Sequence, residues 1–166
     1  MTDAINSIGV IGAGHIGDGV ARVCAVAGYD VVVQDTDPDT LAGAMGKIEA
    51  GLGRQAKSAR ISADEAKGAL SRVRVTGNLA DMADCDLVIE SAPEDEEIKR
   101  QIYEDLKSVL KPHALIATNT SSISITRLAT ASDRPGKFIG MHFMNPVTAM
   151  ALVEVIPGVA TEQATT

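Results

Sequence analysis

The spacing G-x-G-x-x-G occurs early in the chain, in the run Gly12-Ala13-Gly14-His15-Ile16-Gly17. This run follows an apolar segment typical of a strand and opens a segment typical of a helix, the context in which the spacing binds a dinucleotide. Gly12 then allows a tight turn, Gly14 lets the backbone approach a pyrophosphate, and Gly17 permits close packing of helix on strand. The free N–H groups and the dipole at the helix start would hold the phosphates. The alternative is a glycine turn that serves only packing.

A carboxylate follows at the position where a ribose would bind. Asp35 comes directly after the β-branched run Asp30–Gln34. A carboxylate there accepts hydrogen bonds from both hydroxyls of an adenosine ribose and repels a 2′-phosphate, so we expect NAD rather than NADP. No arginine flanks Asp35 to reverse that preference. Asp37 is the nearby alternative, and it could equally be an exposed acid at a helix start.

Among the three histidines, His142 is the best candidate for proton transfer. Oxidation of a secondary alcohol needs a group that takes the hydroxyl proton as hydride leaves for the nicotinamide, and an imidazole titrates in the useful range. His142 follows the predicted strand Phe138–Met141, so it lies at a carboxyl end, where such sheets bind ligands. We expect His15 to be buried in the nucleotide loop and His113 to lie in a surface turn. The alternative for His142 is an ordinary core or surface histidine.

The elements that must position these residues alternate along the chain. Seven short, mostly apolar runs are typical of strands, and most fit strands covered on both faces of a parallel sheet: Ser7–Ile11, Asp30–Gln34, Val73–Thr76, Leu87–Glu90, Leu115–Thr118, Phe138–Met141 and Leu152–Ile156. Four longer segments are typical of helices: His15–Ala27, Asp37–Ala56, Ser62–Leu70 and Glu94–Leu110. This alternation predicts an α/β fold of the Rossmann type, with a doubly wound, mostly parallel sheet.

The segment from Asp37 to Leu70 is too long for one crossover helix. It predicts a helical insertion after the second strand, with two helices joined around residues 59–61, and Ser62 and Glu65 have capping-box spacing. The insertion carries five basic residues: Lys47, Arg54, Lys57, Arg60 and Lys67. It is either a solvated arm or a basic arm that reaches an anionic ligand.

Composition excludes several classes of function. The 166 residues have a net charge of −7 and 2% aromatic residues, which argues against nucleic acid as a partner. The two cysteines, Cys24 and Cys85, form no C-x-x-C or Cys/His cluster, which argues against a disulfide scaffold and a structural metal site. No apolar run approaches the roughly 20 residues that span a bilayer, and the polar start MTDAINS does not resemble a secretory signal. We therefore expect a cytoplasmic protein with no membrane or nucleic-acid partner and no metal.

Two later segments carry more specific patterns. ESAPEDEEIKRQIYEDLKSVLKPHALIATNTSSISITRLA begins at Glu90, and GMHFMNPVTAMALVEVI begins at Gly140. With the glycine run, and in this order, they resemble the NAD-binding domain of the 3-hydroxyacyl-CoA dehydrogenase family, especially the short bacterial 3-hydroxybutyryl-CoA dehydrogenases. The resemblance extends from the first predicted strand to the last.

The resemblance implies roles for six residues. His142, in the H-F-x-N-P motif, would be the catalytic acid/base, and Glu154 its partner carboxylate, which fixes the tautomer and stabilises the imidazolium. We expect Glu154 to be buried, because it lies inside an apolar run, although an open face of an edge strand is the alternative. The remaining four matches lie near the cofactor. Ser121 would lie near the nicotinamide and the substrate hydroxyl, Asn145 on the nicotinamide side, and Glu94 and Lys99 at the dinucleotide.

Two local alternatives accompany those roles. Glu94 and Lys99 lie five positions apart in one predicted helix and would not share a face, so a joint role through the ligand is favoured over a simple ion pair. The serine cluster after Asn119 has a simpler interpretation, in which Ser122 and Ser124 only cap the next helix.

The sequence departs from the family at several positions. One family position used for coenzyme A falls on Gly51 instead of serine, and the usual lysine falls near Lys57 or Ser58. His15 replaces a more usual apolar residue in the glycine loop. Family members continue into an all-helical C-terminal domain that contributes an asparagine to the substrate site and most of a dimer interface. We therefore expect residues 1–166 to be one NAD-binding domain without that second domain, and a homodimer only for a longer chain.

The expected function is an NAD-dependent oxidoreductase that interconverts an (S)-3-hydroxyacyl-CoA, such as 3-hydroxybutyryl-CoA, and a 3-ketoacyl-CoA in fatty-acid metabolism. Two alternatives stay open at this point. One is a related dehydrogenase of a free hydroxy acid or of carnitine, and the other is a silent NAD-binding module.

Overall fold

A computed structural model describes residues 4–166. The first three residues of the predicted domain 1–166, and of the polar start MTDAINS, lie outside the described part. In the described part, no helix is both long and apolar enough to cross a membrane. Cys24 and Cys85 are free and buried, and burial raises the pKa of their thiols to about 12 and about 11.

The described chain forms one seven-stranded sheet in the order β3-β2-β1-β4-β5-β6-β7, in which the first six strands are parallel and β7 runs antiparallel to β6. The strands are β1 Ser7–Ile11, β2 Asp30–Gln34, β3 Val73–Thr76, β4 Leu87–Glu90, β5 Leu115–Thr118, β6 Phe138–Phe143 and β7 Val153–Pro157. The predicted Rossmann-type fold class is therefore confirmed. Two strands differ from prediction in their bounds: β6 continues through His142 to Phe143, and β7 begins and ends one residue later.

Five α-helices connect these strands: α1 His15–Val26, α2 Pro38–Lys57, α3 Ala63–Ser71, α4 Glu96–Leu106 and α5 Ile125–Ala129. Buried residues form two apolar clusters, one that includes α1 and the α2–α3 insertion and one that includes α4 and α5. Strands β1, β2, β4 and β5 are mostly buried for this reason, whereas the two edge strands are more exposed, β3 in part and β7 over most of its length. The helices thus leave the carboxyl edge of the parallel strands for the loops that carry the predicted site residues.

The helical insertion has the predicted two-helix form. Pro38 is the first residue of α2, and the Asp37 side chain accepts hydrogen bonds from the next turn as its N-cap. Ala59, between α2 and α3, has a positive φ of 55°. Ser62 and Glu65 form the predicted capping box at the start of α3. Local capping therefore accounts for both helix starts.

Helix α4 is shorter than the predicted Glu94–Leu110. Its N-cap is Asp95, whose carboxylate accepts from the backbone N–H groups of Glu97 and Ile98, so Glu94 lies before the helix. The α-helix ends at Leu106, and turns lead from there to Pro112. Because Glu94 precedes the helix, its carboxylate can turn towards the loop that follows β5.

Candidate cofactor and catalytic site

The glycine run forms a tight corner between β1 and α1. Gly12 has a positive φ of 98°, and a Cβ there would lie 2.7 Å from the carbonyl oxygen of Ser91. A Cβ on Gly17 would lie 1.8 Å from the carbonyl oxygen of Gly12, so no side chain fits. A Cβ on Gly14 would meet no atom within 4 Å, which leaves the backbone there open to a ligand. Two glycines therefore serve the turn and its packing, and the third serves access.

This corner fits the pyrophosphate of a dinucleotide. Gly14 is the N-cap of α1 and has no side chain to cap the helix, so the first N–H groups of α1 are not satisfied by a cap. Backbone donors and the positive end of the helix dipole meet at this point. An anionic group is the natural partner for such a corner.

Asp35 lies directly against the glycine corner. Its Oδ2 accepts a hydrogen bond from the Ala13 N–H at 2.7 Å, and its Oδ1 accepts from the Asp37 N–H at 3.0 Å. A carboxylate has about four lone-pair sites, so it can still accept from ribose hydroxyls. Asp37, the alternative, is occupied as the cap of α2, and hydrogen bonds from the Thr40 hydroxyl and N–H lower the pKa of its carboxyl. The geometry thus favours Asp35 for the ribose.

His142 and Glu154 meet across the last strand pair. They are register partners in β6 and β7, and the imidazole Nδ1 lies 2.7 Å from Glu154 Oε2. Because the carboxylate engages Nδ1, Nε2 is the nitrogen that can exchange a proton with a substrate. The prediction that Glu154 is buried was wrong, since its side chain is 48% exposed. The reason is that β7 is an edge strand.

The serine turn after β5 is held by a single carboxylate. Glu94 Oε1 accepts from the N–H groups of Ser121 at 3.1 Å and Ser122 at 3.3 Å, and also from the Thr120 hydroxyl. Partial burial tends to raise the pKa of Glu94, but the hydrogen bond from Thr120 and the charge of Lys99 lower it overall. Ser124 caps α5, as the simpler interpretation expected, whereas Ser122 donates its hydroxyl to Glu94. Ser121 itself is exposed at the carboxyl edge of the sheet.

The expectation that Glu94 and Lys99 would not form an ion pair was wrong. Lys99 Nζ lies 3.5 Å from Glu94 Oε2 and 2.7 Å from Glu90 Oε1. Two facts explain this: Glu94 precedes α4 rather than belonging to it, and the Lys99 side chain is only 1% exposed. The ammonium of Lys99 therefore contacts two carboxylates from inside the fold. Of these two, Glu90 is buried and only Glu94 is exposed to solvent.

Sequence reasoning missed the buried polar network around Glu90. Its carboxylate ends β4 at 0% exposure and accepts from the Tyr103 hydroxyl at 2.5 Å and the Thr118 hydroxyl at 2.8 Å. Burial, and then the charge of Glu90, raises the pKa of Tyr103 well above its usual range. The available signal was a carboxylate that ends an apolar strand, together with Lys99 and Tyr103 four residues apart on one helix.

The structure also brings His15 to Asn145. The imidazole Nε2 of His15 lies 3.2 Å from Asn145 Oδ1, although the residues are 130 positions apart. His15 was expected to be buried and is exposed instead, because the first residue of α1 projects outward from the loop. Ile16, the other residue between Gly14 and Gly17, is partly buried against the core. His113 is exposed, as expected.

The candidate coenzyme A residues lie at the end of α2. Lys57 is its last residue, Ser58 is its C-cap, and both are exposed, as a ligand would require. Gly51 is buried against Arg22, and a Cβ there would lie 2.7 Å from Arg22 Nε. The side chain of Arg22 thus occupies the space that a serine at this position would need.

A cavity of about 600 Å³ lies elsewhere, at the amino edge of the sheet, between Tyr29, His113 and Lys137. Its described lining contains none of the predicted site residues. Within residues 4–166, no group of three or more His, Cys, Asp or Glu side chains is placed to hold a metal ion.

Comparison with known proteins now bears on this geometry. Residues 7–166 match the model of the 3-hydroxyacyl-CoA dehydrogenase, NAD binding domain, family. The chain belongs to the 3-hydroxyacyl-CoA dehydrogenase family. The region of the family that it matches is the NAD-binding domain, which supports NAD as the cofactor bound at the glycine corner.

Individual members of the family are similar over almost the whole chain. A 3-hydroxybutyryl-CoA dehydrogenase of Bradyrhizobium diazoefficiens is 55% identical over 99% of this chain and 56% of its own length. A probable 3-hydroxybutyryl-CoA dehydrogenase of Deinococcus radiodurans is 48% identical over 95% of this chain and 56% of its own. A crystal structure of (S)-3-hydroxybutyryl-CoA dehydrogenase from Ralstonia eutropha superposes with a TM-score of 0.93 at 38% identity, covering 98% of this chain and 57% of that one. The chain thus spans little more than half the length of these 3-hydroxyacyl-CoA dehydrogenase relatives.

Proposed function

We propose that this chain is the nucleotide-binding part of an NAD-dependent dehydrogenase that interconverts an (S)-3-hydroxyacyl-CoA, most simply 3-hydroxybutyryl-CoA, and the 3-ketoacyl-CoA. The observation that carries the proposal is the hydrogen bond between His142 Nδ1 and Glu154 Oε2. This pair lies at the same carboxyl edge of the sheet as the glycine loop. The names of the relatives support the substrate class.

The cofactor-binding residues act at successive points along that edge. The corner from Gly12 to Gly17 would bind the pyrophosphate through backbone N–H groups, and Asp35 would bind the adenosine ribose. Ser121 and Asn145 would lie on the nicotinamide side, and Glu94, paired with Lys99, would contact the dinucleotide. When bound, NAD supplies the acceptor for the hydride, and the protein supplies orientation and electrostatics.

The proton step belongs to His142. Its Nε2 takes the proton of the substrate hydroxyl as the carbon loses hydride, and in the reverse direction it returns that proton to the ketone oxygen. The Glu154 carboxylate keeps the ring oriented through Nδ1 and stabilises the imidazolium that forms. Ser121, on the turn held by Glu94, positions the substrate oxygen by a hydrogen bond.

The substrate and the setting follow from the same proposal. Lys57 and Ser58, at the exposed end of α2, would contact the coenzyme A part of the substrate. Residues 1–166 would be a single NAD-binding domain, which acts in the cytoplasm with neither a membrane nor a nucleic acid as partner. A longer chain with a helical second domain would form a homodimer.

Cofactor binding can be tested on this chain directly. Calorimetric titration should show that NADH binds and that NADPH binds much more weakly, because Asp35 repels the 2′-phosphate. Asp35→Ser should weaken NADH and reduce the discrimination between the two cofactors. The matched control Asp37→Ser removes the neighbouring charge but keeps a residue type that caps helices, and it should leave the discrimination unchanged. Equal binding of NADH and NADPH by the unaltered chain would contradict the assignment of Asp35.

Turnover is best tested in a chimera that extends the chain to the length of its relatives. We expect residues 1–166 alone to oxidise NADH with acetoacetyl-CoA very slowly. Fusion to the remaining residues of the Bradyrhizobium relative should raise the rate strongly, and His142→Gln in the chimera should lower it at least about a hundredfold. A rate unaffected by His142→Gln would favour a silent nucleotide-binding module or a different base. Faster turnover of free acetoacetate or of dehydrocarnitine than of acetoacetyl-CoA would favour the alternative substrate classes.

A further inference from the structure

The connection between β6 and β7, residues 144–152, crosses the carboxyl edge of the sheet. It contacts α1 and the segment that follows α2. Val147 is 7% exposed and packs on α1, where a Cβ on Gly19 would lie 2.7 Å from the Cβ of Val147. Arg60, after α2, donates from Nη1 to the carbonyl oxygen of Thr148 at 3.3 Å. The side chain of Asn145 meets His15.

The sheet order shows what this connection spans. His15 follows the end of β1, and Asn145 follows the end of β6, while β4 and β5 lie between those two strands. Three strand spacings separate β1 from β6, about 14 Å. The bond from His15 to Asn145 therefore closes over the ends of β4 and β5, which is where a dinucleotide lies between its pyrophosphate corner and its nicotinamide site.

The chemistry of the bond fixes the roles of its atoms. An amide oxygen only accepts, so the His15 Nε2 must carry the proton and donate it to Asn145 Oδ1. The amide NH₂ of Asn145 is then still available to donate to a ligand. His15 thereby sets the orientation of the amide at the nicotinamide end while standing at the phosphate end.

We propose that His15 is a positioning residue for the cofactor, and that its hydrogen bond to Asn145 latches the β6–β7 connection over the bound dinucleotide. This proposal rests on the proposed NAD site and adds a role that the glycine motif does not supply. The latch acts only on a ligand that reaches from the glycine corner to Asn145. It should therefore slow the release of NADH and have no effect on the binding of ADP, which occupies the adenosine site and the phosphate corner but does not reach Asn145.

The test is a titration of the 166-residue chain with NADH and with ADP. His15→Leu removes the donor at an exposed position. It should lower the affinity for NADH about threefold to tenfold, while the affinity for ADP stays the same. His15→Gln should restore NADH binding, because the glutamine Nε2 donates at the same number of bonds from Cβ. In a double-mutant cycle, His15→Leu should have a smaller effect in the Asn145→Ala background than in the unaltered chain.

The outcomes separate the latch from the site beneath it. Equal weakening of NADH and ADP would show that His15 is a direct phosphate ligand, and unchanged or tighter NADH binding by His15→Leu would show that the bond hinders entry; either result overturns the latch. Additive effects of the two substitutions would overturn it as well. Failure of the unaltered chain to bind NADH would instead contradict the proposed function.

Discussion

Two glutamates at the carboxyl edge of this sheet each pair with a basic side chain. The nitrogen–oxygen distance is 2.7 Å in both pairs, but one pair is buried and the other is exposed. Glu90 and Lys99 are 0% and 1% exposed. Glu154 and His142 are 48% and 21% exposed. The first pair ends a central strand and is enclosed by α4, whereas the second joins the last two strands at the open edge.

This difference in burial suits the first pair to stabilising the fold and the second pair to the proposed proton transfer. A buried pair must remain paired, because an uncompensated charge in the interior is costly, so Lys99 is suited to holding Glu90 and Glu94. An exposed pair contributes little to stability, but its imidazole can reach a substrate and exchange a proton with it. Stability and activity should therefore respond to the two pairs in opposite ways.

The largest effect on stability is expected for Lys99→Met. The substitution leaves the Glu90 carboxylate buried without its cation, and it should lower the free energy of unfolding by about 3–5 kcal/mol. Urea denaturation followed by circular dichroism measures this loss. The double variant Glu90→Gln with Lys99→Met removes both charges and should recover most of it. A loss as large in the double variant as in the single one would show that packing, not charge, governs the site.

An intermediate effect is expected at Asp86, whose side chain is 16% exposed and pairs with Lys111 at 2.6 Å. The hydrogen bond from Lys111 lowers the pKa of Asp86 despite partial burial, and the N–H groups of Asn6 and Ser7 lower it further. A lowered folded-state pKa stabilises above the unfolded pKa of about 3.9, and the contribution disappears as the pH falls through the folded value.

Asp86→Asn should therefore cost about 2 kcal/mol at pH 7. The difference between variant and unaltered chain should shrink as the pH falls below about 4. Unfolding curves recorded across this range measure it. The exposed pair of Lys107 and Glu104 is a useful control, because Glu104→Gln should change stability little at any pH. A constant difference for Asp86→Asn down to pH 3 would argue against the charge as its cause.

The smallest effect on stability is expected for Glu154→Gln, below about 1 kcal/mol. In the chimera with the Bradyrhizobium relative, the same substitution should lower turnover about a hundredfold, because the imidazolium loses its partner. Unfolding and initial-rate measurements on the same preparations make the comparison direct. If Glu154→Gln instead destabilised the chain as much as Lys99→Met, the contrast between the two pairs would collapse.

Much of the fold followed from local sequence patterns. All seven strands were predicted, five of them with the observed bounds, because short apolar runs bounded by turn residues are a local signal. The cap at Ser62 was predicted for the same reason. The main errors concern burial and partners: His15 and Glu154 are exposed rather than buried, and Lys99 pairs with Glu90, which sequence reasoning missed.

The sequence by itself determined the alternation of strands and helices, the glycine corner and the helix caps, since these depend on residues within a few positions of one another. Only the tertiary structure decided which carboxylates would be buried and that His15 would reach Asn145. Those outcomes depend on the order of strands in the sheet, which sets solvent access and brings together residues that are distant in the chain.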